Sequence, residues 1–470
     1  MTPAAPSQDA AGGCHAELAA PRGHRFAVLV IRLTIFWFVH LHVSCRAVCC
    51  IWGSLSQTPL SLPPLAGSPG HQTVCTWAMR LGLFLLRQVL PHYSDWVFLI
   101  DSTLRLGNRK CLVILGARLG VLAGLDQAPT TRHFTVLDVA VTVSCTADFV
   151  VERLEQVCQR VGRPRQIVSD HSGEFTAGLP RFQKQHPDVV ATHDITHKLA
   201  ILLESELEAD ERWQAFLKAC SGCLPRMQQT AGAFLLPPSL RRMARYMHVA
   251  DHVEWAQKVS GVLDRQDVAV LAKDLGVSQA EALAWLEQRL GWAKEFREDL
   301  REWSVLLECS KQVQAEVKNK GLSRQTPQQI EGRFGTVLGQ GRWRRWWRQV
   351  MDYLEEQGRQ VPEGERWQAS SDAIESLFGC YKNGTKGAPL PEIGANVLLL
   401  PVLLTSELSG DLVREAMEQV SGKDVERWTQ QNVGDSTLAK IQRVLRPDGR
   451  NTRPAGGHGA GMKPMPQRTR

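Results

Sequence analysis

Residues Trp96–Gly107 read WVFLIDSTLRLG, and this stretch decides the predicted fold. An uninterrupted run of Val, Phe, Leu and Ile is typical of a buried β-strand, and this run ends on a single carboxylate, Asp101. A second run of the same kind, Gln166–Val168, leads to Asp170, and a helix-like segment near the C-terminus carries Glu375. The sequence therefore predicts a fold that brings three carboxylates together from distant parts of the chain.

The segments between the two aspartates predict an α/β fold. Lys110–Leu122 and Phe134–Cys145 are rich in Val, Ile and Leu and are separated by turn-forming residues, so each is expected to contain a strand. Thr146 can cap a helix whose apolar residues recur three to four apart as far as Val161. Val189–His193 is a candidate fifth strand. Three strands, a helix and a further strand ending on a carboxylate resemble the opening of a ribonuclease H-like fold, a mixed sheet flanked by helices.

Residues 198–367 have a different character and predict a large all-α insertion domain. Amphipathic helical patterns fill this part of the chain, and one of them opens with Ser278 followed by Glu281, the spacing of a capping box. Nine of the fourteen tryptophans fall between Trp213 and Trp367. We therefore predict that the ribonuclease H-like core occupies residues 76–197, is interrupted by the insertion, and resumes over residues 368–425.

The two ends of the chain do not resemble the rest. Residues 1–75 include an apolar run at 26–43 that allows a membrane-anchored helical protein as one hypothesis, but Arg32 and His40 interrupt it and argue against a span. We expect this atypical segment to be either disordered or not native to the protein. Residues 426–470 form a basic tail rich in Gly and Pro that we expect to be disordered.

Composition limits the class of protein. A chain of 470 residues with 43% hydrophobic and 22% charged residues is expected to form two or three globular domains. A net charge of +7 permits a polyanionic partner without requiring one. The twelve cysteines follow no regular framework and are interpreted as reduced thiols of a cytosolic protein. Cys220 and Cys223, with His248 and His252, leave structural zinc as a weaker alternative, because their loop is longer than that of a zinc finger.

Three carboxylates on separate elements suit phosphoryl transfer on DNA. This chemistry needs an activated oxygen nucleophile and a stabilised leaving oxygen, which two divalent ions can supply. Mg²⁺ prefers carboxylate oxygens as ligands. Each residue also has a simpler explanation: Asp101 can be a solvated strand end, Asp170 can support an Asx-turn, and Glu375 can be the capping-box partner of Asp372.

Over about residues 77–420, the chain resembles the DDE-type transposases of bacterial insertion sequences. LIDSTLRLGNRKCLVILG is similar to their first-aspartate block, with Ser102 where His is frequent, and VSDHSGEF resembles their second-aspartate block. ESLFGCYK matches the E-x6-K half of a related signature, with Lys382 as the lysine. Its Tyr and Arg half is absent, since Gln368 and Ser371 stand in those places.

The resemblance implies an enzyme that cleaves and joins DNA strands at insertion-sequence ends. Asp101, Asp170 and Glu375 would be both the catalytic residues and the ligands of two Mg²⁺ ions, for which Mn²⁺ can substitute. The partners would be double-stranded DNA, both transposon ends and target, and further copies of the chain in a homodimer or larger synaptic assembly. No membrane is implied, and the location would be the bacterial cytoplasm, at the nucleoid. The alternative hypothesis is a catalytically inactive, transposase-derived DNA-binding protein.

Three further residues are candidates for supporting the active site. Lys382 lies two helical turns beyond Glu375 and could hold a phosphate, or could be a solvated surface lysine. Asp194 and His197 resemble the C/D-x2-H motif of transposases that carry a helical insertion. The simpler interpretation of this pair is a helix N-terminus capped by Asp194.

The segment Gly341–Tyr353, GRWRRWWRQVMDY, is the candidate DNA-binding helix. One interpretation is an aromatic stripe in a protein core with a basic face towards solvent. The other places the arginines on phosphates and a tryptophan on an unpaired or flipped base. The DNA-binding candidates are Arg342, Arg344, Arg345, Arg348 and Trp346.

Overall fold

The computed structural model describes residues 17–57, 67–106, 109–238, 249–385 and 393–445. The strands are β1 (Trp96–Leu106), β2 (Arg109–Arg118), β3 (Thr135–Thr142), β4 (Pro164–Ser169) and β5 (Val190–His193). The helices as far as β5 are α1 (Val28–Ile35), α2 (Cys45–Leu55), α3 (His71–Arg87), α4 (Leu119–Ala123), α5 (Ala147–Val161) and α6 (Gly173–Gln185). Those of the following helical region are α7 (Ile195–Glu208), α8 (Glu211–Met227), α9 (Val249–Arg265), α10 (Ala269–Leu275), α11 (Gln279–Leu290), α12 (Arg297–Lys320), α13 (Thr326–Leu338) and α14 (Arg344–Gln360). The last are α15 (Asp372–Thr385), α16 (Leu399–Leu404), α17 (Gly410–Gln419), α18 (Gly422–Asn432) and α19 (Thr437–Val444).

The five strands form one mixed sheet in the order β3-β2-β1-β4-β5. β1 pairs antiparallel with β2, and β2 antiparallel with β3, whereas β1–β4 and β4–β5 are parallel pairs. The predicted α/β class and the predicted strands are confirmed, but β1 does not end at Asp101 and continues to Leu106. β2 ends at Arg118, after which the chain forms α4. The register of β1 against β2 shifts between Asp101 and Leu104, which marks a β-bulge directly after the first candidate carboxylate.

Helices cover both faces of the sheet because its central strands are apolar on both sides. On one face Val97 and Leu99 pack with residues of α3, α15 and α16. On the other face Phe98 and Ile100 pack with α5 and α6. Alternation along Trp96–Ile100 thus assigns each of these side chains to one of two cores, and Val97 and Leu99 face α15.

An ion pair fastens α5 to β3 at the edge of the sheet. Asp138 is buried, and both of its carboxylate oxygens accept hydrogen bonds from Arg153, at 2.6 and 2.8 Å. The side chains of Asp138 and Arg153 are 7% and 22% exposed. A bidentate pair of this kind is costly to break from one side, because the remaining charge keeps its burial and loses its partner.

Asp138→Ala is therefore expected to lower the free energy of unfolding by about 3 kcal/mol. The matched control is Asp148→Ala, which removes an ion pair to Arg181 whose carboxylate side chain is 86% exposed. This control substitution should lower the free energy of unfolding by less than about 1 kcal/mol. Urea denaturation followed by far-UV circular dichroism measures both variants, and equal losses would contradict the structural role of Asp138.

The helical region between β5 and α15 has its own apolar core, rich in tryptophan. Trp213, Trp303 and Trp346 are fully buried there. The predicted capping box at α11 is present, with the Ser278 hydroxyl accepting from the N–H of Glu281 at 3.3 Å. The residues Met1–Val433 group into one compact unit, so this helical region is continuous with the sheet layers where the structure describes them.

The chain enters and leaves the helical region at neighbouring positions. The N–H of Ile195, the first residue of α7, donates to the carbonyl of Ala369 at 2.9 Å. Leu322 and Trp367 form an isolated antiparallel bridge close to the exit. The start and the end of the insertion are therefore tied together by backbone hydrogen bonds.

The N-terminal segment differs from its predicted disorder where it is described. Val28, Ile31 and Ile35 of α1 are fully buried in the core that also holds β1. The apolar run breaks after a π-helical turn, Phe36–His40, and the backbone turns at His42 with φ +54°. In the parts of the chain that the structure describes, no helix has the length and hydrophobicity needed to cross a bilayer.

Helix α3 runs very close to the chain just before α16. A Cβ atom built on Gly82 would lie 1.6 Å from the carbonyl oxygen of Leu398. The atoms that this Cβ would meet belong to the backbone of Leu398, so rotation of a side chain cannot relieve the overlap. Glycine is therefore required at this position of α3.

The C-terminal region is helical as far as it is described. Within the first unit, Trp428 of α18 is buried. Gly434–Arg470 form a second unit, in which the structure describes α19 and the ion pair between Arg443 and Asp435. The predicted disordered tail therefore begins with helix, and its part from residue 446 onwards lies outside the described residues.

The cysteines that the structure describes are free thiols. Cys220 and Cys223 are buried in α8, where the Cys223 thiol donates to the carbonyl of Cys220 at 3.1 Å. Burial raises the pKa of both thiols. His248, the third residue of the zinc alternative, lies outside the described residues.

Candidate functional site

The parallel pairing of three neighbouring strands, β1, β4 and β5, stops at the same level of the sheet, and an aspartate comes next in each chain segment. Ile100 of β1 pairs with Ser169 of β4, and Ser169 is in register with His193 of β5. The residues that come next are Asp101, Asp170 and Asp194. The N–H of Asp194 donates to the carbonyl of Ser169 at 2.8 Å, which extends the pairing by one step. The fold thus lines up acidic residues along this edge.

Asp101 lies on the face of the sheet that α15 covers. Side chains alternate between the two faces of a strand, and Asp101 is two residues after Leu99 and four after Val97, both of which pack against the α15 side of the sheet. Asp101 is buried, at 3% exposure, and the bulge follows directly after it. β-Bulges often occur beside active sites, where they redirect a side chain.

Asp170 follows β4 on the same face, since it shares the parity of Val168. Its exposure is 8%, and one carboxylate oxygen accepts the N–H of Ser172 at 3.0 Å. The Asx-turn considered from the sequence is therefore present. A carboxylate has two oxygens and several lone pairs, so this turn is compatible with a second role for Asp170.

Glu375 lies in the first turn of α15, which packs against β1. Its Oε1 is 3.5 Å from Nδ1 of His197, and its side chain is 33% exposed. Burial raises the pKa of Glu375, the charge of Asp194 raises it further, and His197 lowers it. Within the described structure Glu375 Oε1 accepts no hydrogen bond, so this buried oxygen retains the capacity to bind a donor or a cation.

The capping-box explanation of Glu375 is not realised. Asp372 is the first residue of α15 rather than its cap, and its carboxylate binds the ammonium of Lys318 in α12 at 2.6 Å. The N–H of Glu375 donates to the carbonyl of Ser371 at 3.2 Å. The carboxylate of Glu375 is therefore not occupied by the start of its own helix.

Asp194 has the capping role that the sequence left open. It is fully buried, and it accepts hydrogen bonds from the N–H of His197 at 2.8 Å and from the N–H and hydroxyl of Ser371 at 2.5 and 2.9 Å. These bonds tie the start of α7 to the start of α15. Asp194 thus positions both His197 and the helix that carries Glu375.

The structure brings the predicted residues together only in part. Asp101 and Asp170 directly follow the paired residues Ile100 and Ser169. Glu375 lies on α15, which packs against β1, and its carboxylate is near His197. Lys382 is exposed near the end of the described part of α15. Among the residues with described positions, no three His, Cys, Asp or Glu side chains are arranged to hold one metal ion.

A pair of histidines at this edge was not predicted. The rings of His171 and His193 stack with their centroids 4.3 Å apart. Burial, together with the nearby His193 and Lys198, lowers the pKa of His171 to about 4. The hydroxyl of Tyr353 donates to the carbonyl of His193 at 2.8 Å. The sequence contained a signal for this pair, because His171 directly follows Asp170 and His193 ends the neighbouring predicted strand.

The arginine-rich helix α14 contains both core residues and surface residues. Trp346 is fully buried, so it cannot stack on a base while the core is intact, and this corrects its predicted role. Arg342 pairs with three carboxylates, and Arg345 pairs with Glu206 at 2.9 Å. Arg344 and Arg348 are exposed. The exposed face of α14 therefore offers these two arginines to an anionic partner more readily than Arg342.

Comparison with solved structures gives a match to the Drosophila P element transposase strand transfer complex. The TM-score is 0.38 and the sequence identity is 11%, and the match covers 83% of this chain and 94% of that chain. No protein-family model matches the sequence, and no curated protein matches it significantly. A similarity at this level does not by itself assign a function to the chain.

Proposed function

We propose that this chain is a DDE-type DNA transposase with a ribonuclease H-like core, which cleaves and joins DNA strands at insertion-sequence ends. One observation carries the proposal: Asp101 and Asp170 directly follow Ile100 and Ser169, the last paired residues of the adjacent parallel strands β1 and β4, and α15, the helix that bears Glu375, packs against β1. Separate elements that converge on one sheet edge are a common way to build a catalytic site in α/β folds.

The strand order supports the ribonuclease H-like part of the proposal. An antiparallel β1-β2-β3 meander followed by parallel β4 and β5 on the other side of β1 is the arrangement expected for that fold. The helical insertion between β5 and α15 agrees with a transposase whose second aspartate and glutamate are far apart in sequence.

The donor set fits a hard divalent cation. All three side chains offer carboxylate oxygens, which Mg²⁺ and Mn²⁺ prefer, and Glu375 has a buried oxygen that accepts no hydrogen bond in the described structure. Asp101, Asp170 and Glu375 would hold two ions. Such ions, when bound, activate the attacking oxygen and stabilise the leaving oxygen.

The residues around the carboxylates would prepare the site for this chemistry. Burial of Asp101 and Asp170 places them in a medium of low polarity, where their attraction for a cation exceeds that of surface carboxylates. Asp194 fixes His197 at the contact distance from Glu375. Exposed Arg344 and Arg348 would bind DNA phosphates without reading sequence, and catalysis at paired ends would require a dimer or larger assembly.

Cation dependence tests the proposal directly. The purified protein is incubated with a duplex that carries the inverted repeats flanking its own coding region. Mg²⁺ or Mn²⁺ is expected to support strand cleavage that leaves a 3′-hydroxyl, and chelation with EDTA should reduce cleavage to background, because the carboxylates alone cannot neutralise the phosphate. Cleavage that persists in EDTA would refute the mechanism.

A second candidate function is a catalytically inactive DNA-binding protein derived from a transposase. It is favoured by the lack, among described residues, of a three-residue metal group. This candidate predicts salt-sensitive binding of the same duplex with no cleavage in either cation. The assay above therefore separates the two functions.

A further inference from the structure

Glu174 connects the part of β1 that carries Asp101 to the helix that follows Asp170. Its Oε1 accepts the hydroxyl of Ser102 at 2.6 Å and the ammonium of Lys110 at 3.0 Å. Ser102 directly follows Asp101 in β1, and Lys110 lies in β2. Glu174 itself lies in the first turn of α6, four residues after Asp170. One carboxylate oxygen therefore connects three elements at the candidate site.

The contact lies below the sheet, on the opposite face from the candidate ligands. Ser102 contacts Glu174 of α6, a helix that packs on the face of Phe98 and Ile100, whereas Asp101 continues the alternation of Val97 and Leu99, which face α15. Glu174 therefore does not reach a cation held by Asp101 and Asp170. Any influence on that cation has to pass through the backbone of Ser102 and the short turn after Asp170.

The environment makes the contact strong. Ser102 is 2% exposed and the side chain of Glu174 is 13% exposed. Burial opposes ionisation of Glu174, but the hydrogen bonds from Ser102 and Lys110 outweigh it, and the pKa is lowered. Its position in the first helical turn also suits a negative charge. Charge-assisted hydrogen bonds between partly buried groups are shorter and stronger than neutral ones.

We propose that Glu174 is a positioning residue that holds the turn after Asp170 against β1 beside Asp101 and thereby sets the separation of the Asp101 and Asp170 carboxylates. The inference rests on the proposed function, because it assigns a purpose to that separation. A cation bound by two carboxylates requires their oxygens at a fixed spacing, and partners outside the ligand shell commonly maintain it.

Glu174→Ala is expected to raise the Mg²⁺ concentration for half-maximal cleavage by about 10- to 100-fold. The maximal rate at saturating Mg²⁺ should fall less, because Asp101 and Asp170 remain. Glu174→Gln keeps an oxygen for the Ser102 hydroxyl but loses the charge that pairs with Lys110. The Mg²⁺ concentration for half-maximal cleavage should therefore rise less than in Glu174→Ala. Calorimetric titration with Mn²⁺ should show the same order of affinities without DNA. The matched control is Glu152→Ala, on the exposed side of α5, which should leave both titrations unchanged.

The outcomes distinguish this inference from the proposed function. If Asp170→Asn abolishes cleavage and Glu174→Ala leaves the Mg²⁺ midpoint unchanged, the positioning role is refuted and the transposase proposal stands. If Asp170→Asn cleaves as well as wild type, the proposed function itself fails. All variants are compared well below their melting temperatures. A Glu174→Ala variant that melts earlier but binds Mn²⁺ normally also refutes the inference, since it would show a role in stability alone.

Discussion

Replacing Asp170 by Asn is expected to lower the rate of Mg²⁺-dependent strand cleavage by on the order of a thousand-fold, since loss of one anionic ligand removes several kcal/mol of charge stabilisation from the transition state. The substitution preserves the fold. The side-chain oxygen of Asn can accept the N–H of Ser172 as Asp170 does, so the Asx-turn persists. Binding of DNA should remain close to that of wild type, because the arginines that would contact phosphate are unchanged.

A matched control separates this effect from a general loss of charge. Asp188→Asn removes a carboxylate that is 61% exposed, pairs only at 3.4 Å with Arg163, and precedes β5 at the opposite end of the strand. It should cleave DNA at the wild-type rate. Gel assays of cleavage and fluorescence anisotropy of DNA binding provide the two measurements. If the Asp170→Asn variant retains more than a tenth of the wild-type rate, Asp170 does not have the proposed catalytic role.

Gly82→Ala is expected to lower the free energy of unfolding by about 3 kcal/mol or more. The added methyl group would overlap the carbonyl oxygen of Leu398, and only a separation of the two backbone segments can accommodate it. That separation would loosen the layer formed by α3, α15 and α16, which covers one face of the sheet. The consequence should extend to the site, because α15 carries Glu375.

Gly222→Ala provides the control for this substitution. Gly222 is an exposed residue inside α8, and a Cβ there would meet nothing within 4 Å. Alanine in an open helical position stabilises by about 0.5–1 kcal/mol. Thermal and urea denaturation of both variants should therefore show shifts of opposite sign. If Gly82→Ala were as stable as wild type, α3 and the segment before α16 could not be as close as the structure places them.

Local sequence patterns were sufficient to predict most of the sheet. The apolar runs of β1 and β4, the Thr146 cap of α5 and the Ser278 capping box depend on neighbouring residues, and the structure contains all of them. The N-terminal segment was harder to predict. Its buried face packs against elements more than forty residues away, and the local pattern alone resembled a membrane span or disorder.

The candidate site shows the same division. The two apolar runs that lead to Asp101 and Asp170 are visible in the sequence, and the structure pairs them as the adjacent parallel strands β1 and β4. The partners of charged residues could not be predicted: Arg342 binds Asp210, which is 132 positions away in the chain, and only the packed insertion brings them together. The burial of Trp346 likewise depends on how α14 packs against the rest of the insertion, so the sequence allowed a core or a surface interpretation.

The hydrogen bond between Ile195 and Ala369 is one of several that hold together the two ends of a very long insertion in the chain. Because the insertion starts and finishes at almost the same point, a change in its length need not move the strands that it leaves and rejoins. A lineage could shorten, enlarge or exchange that module while leaving the acidic sheet edge intact. The sheet layer and the helical module can thus diversify at different rates.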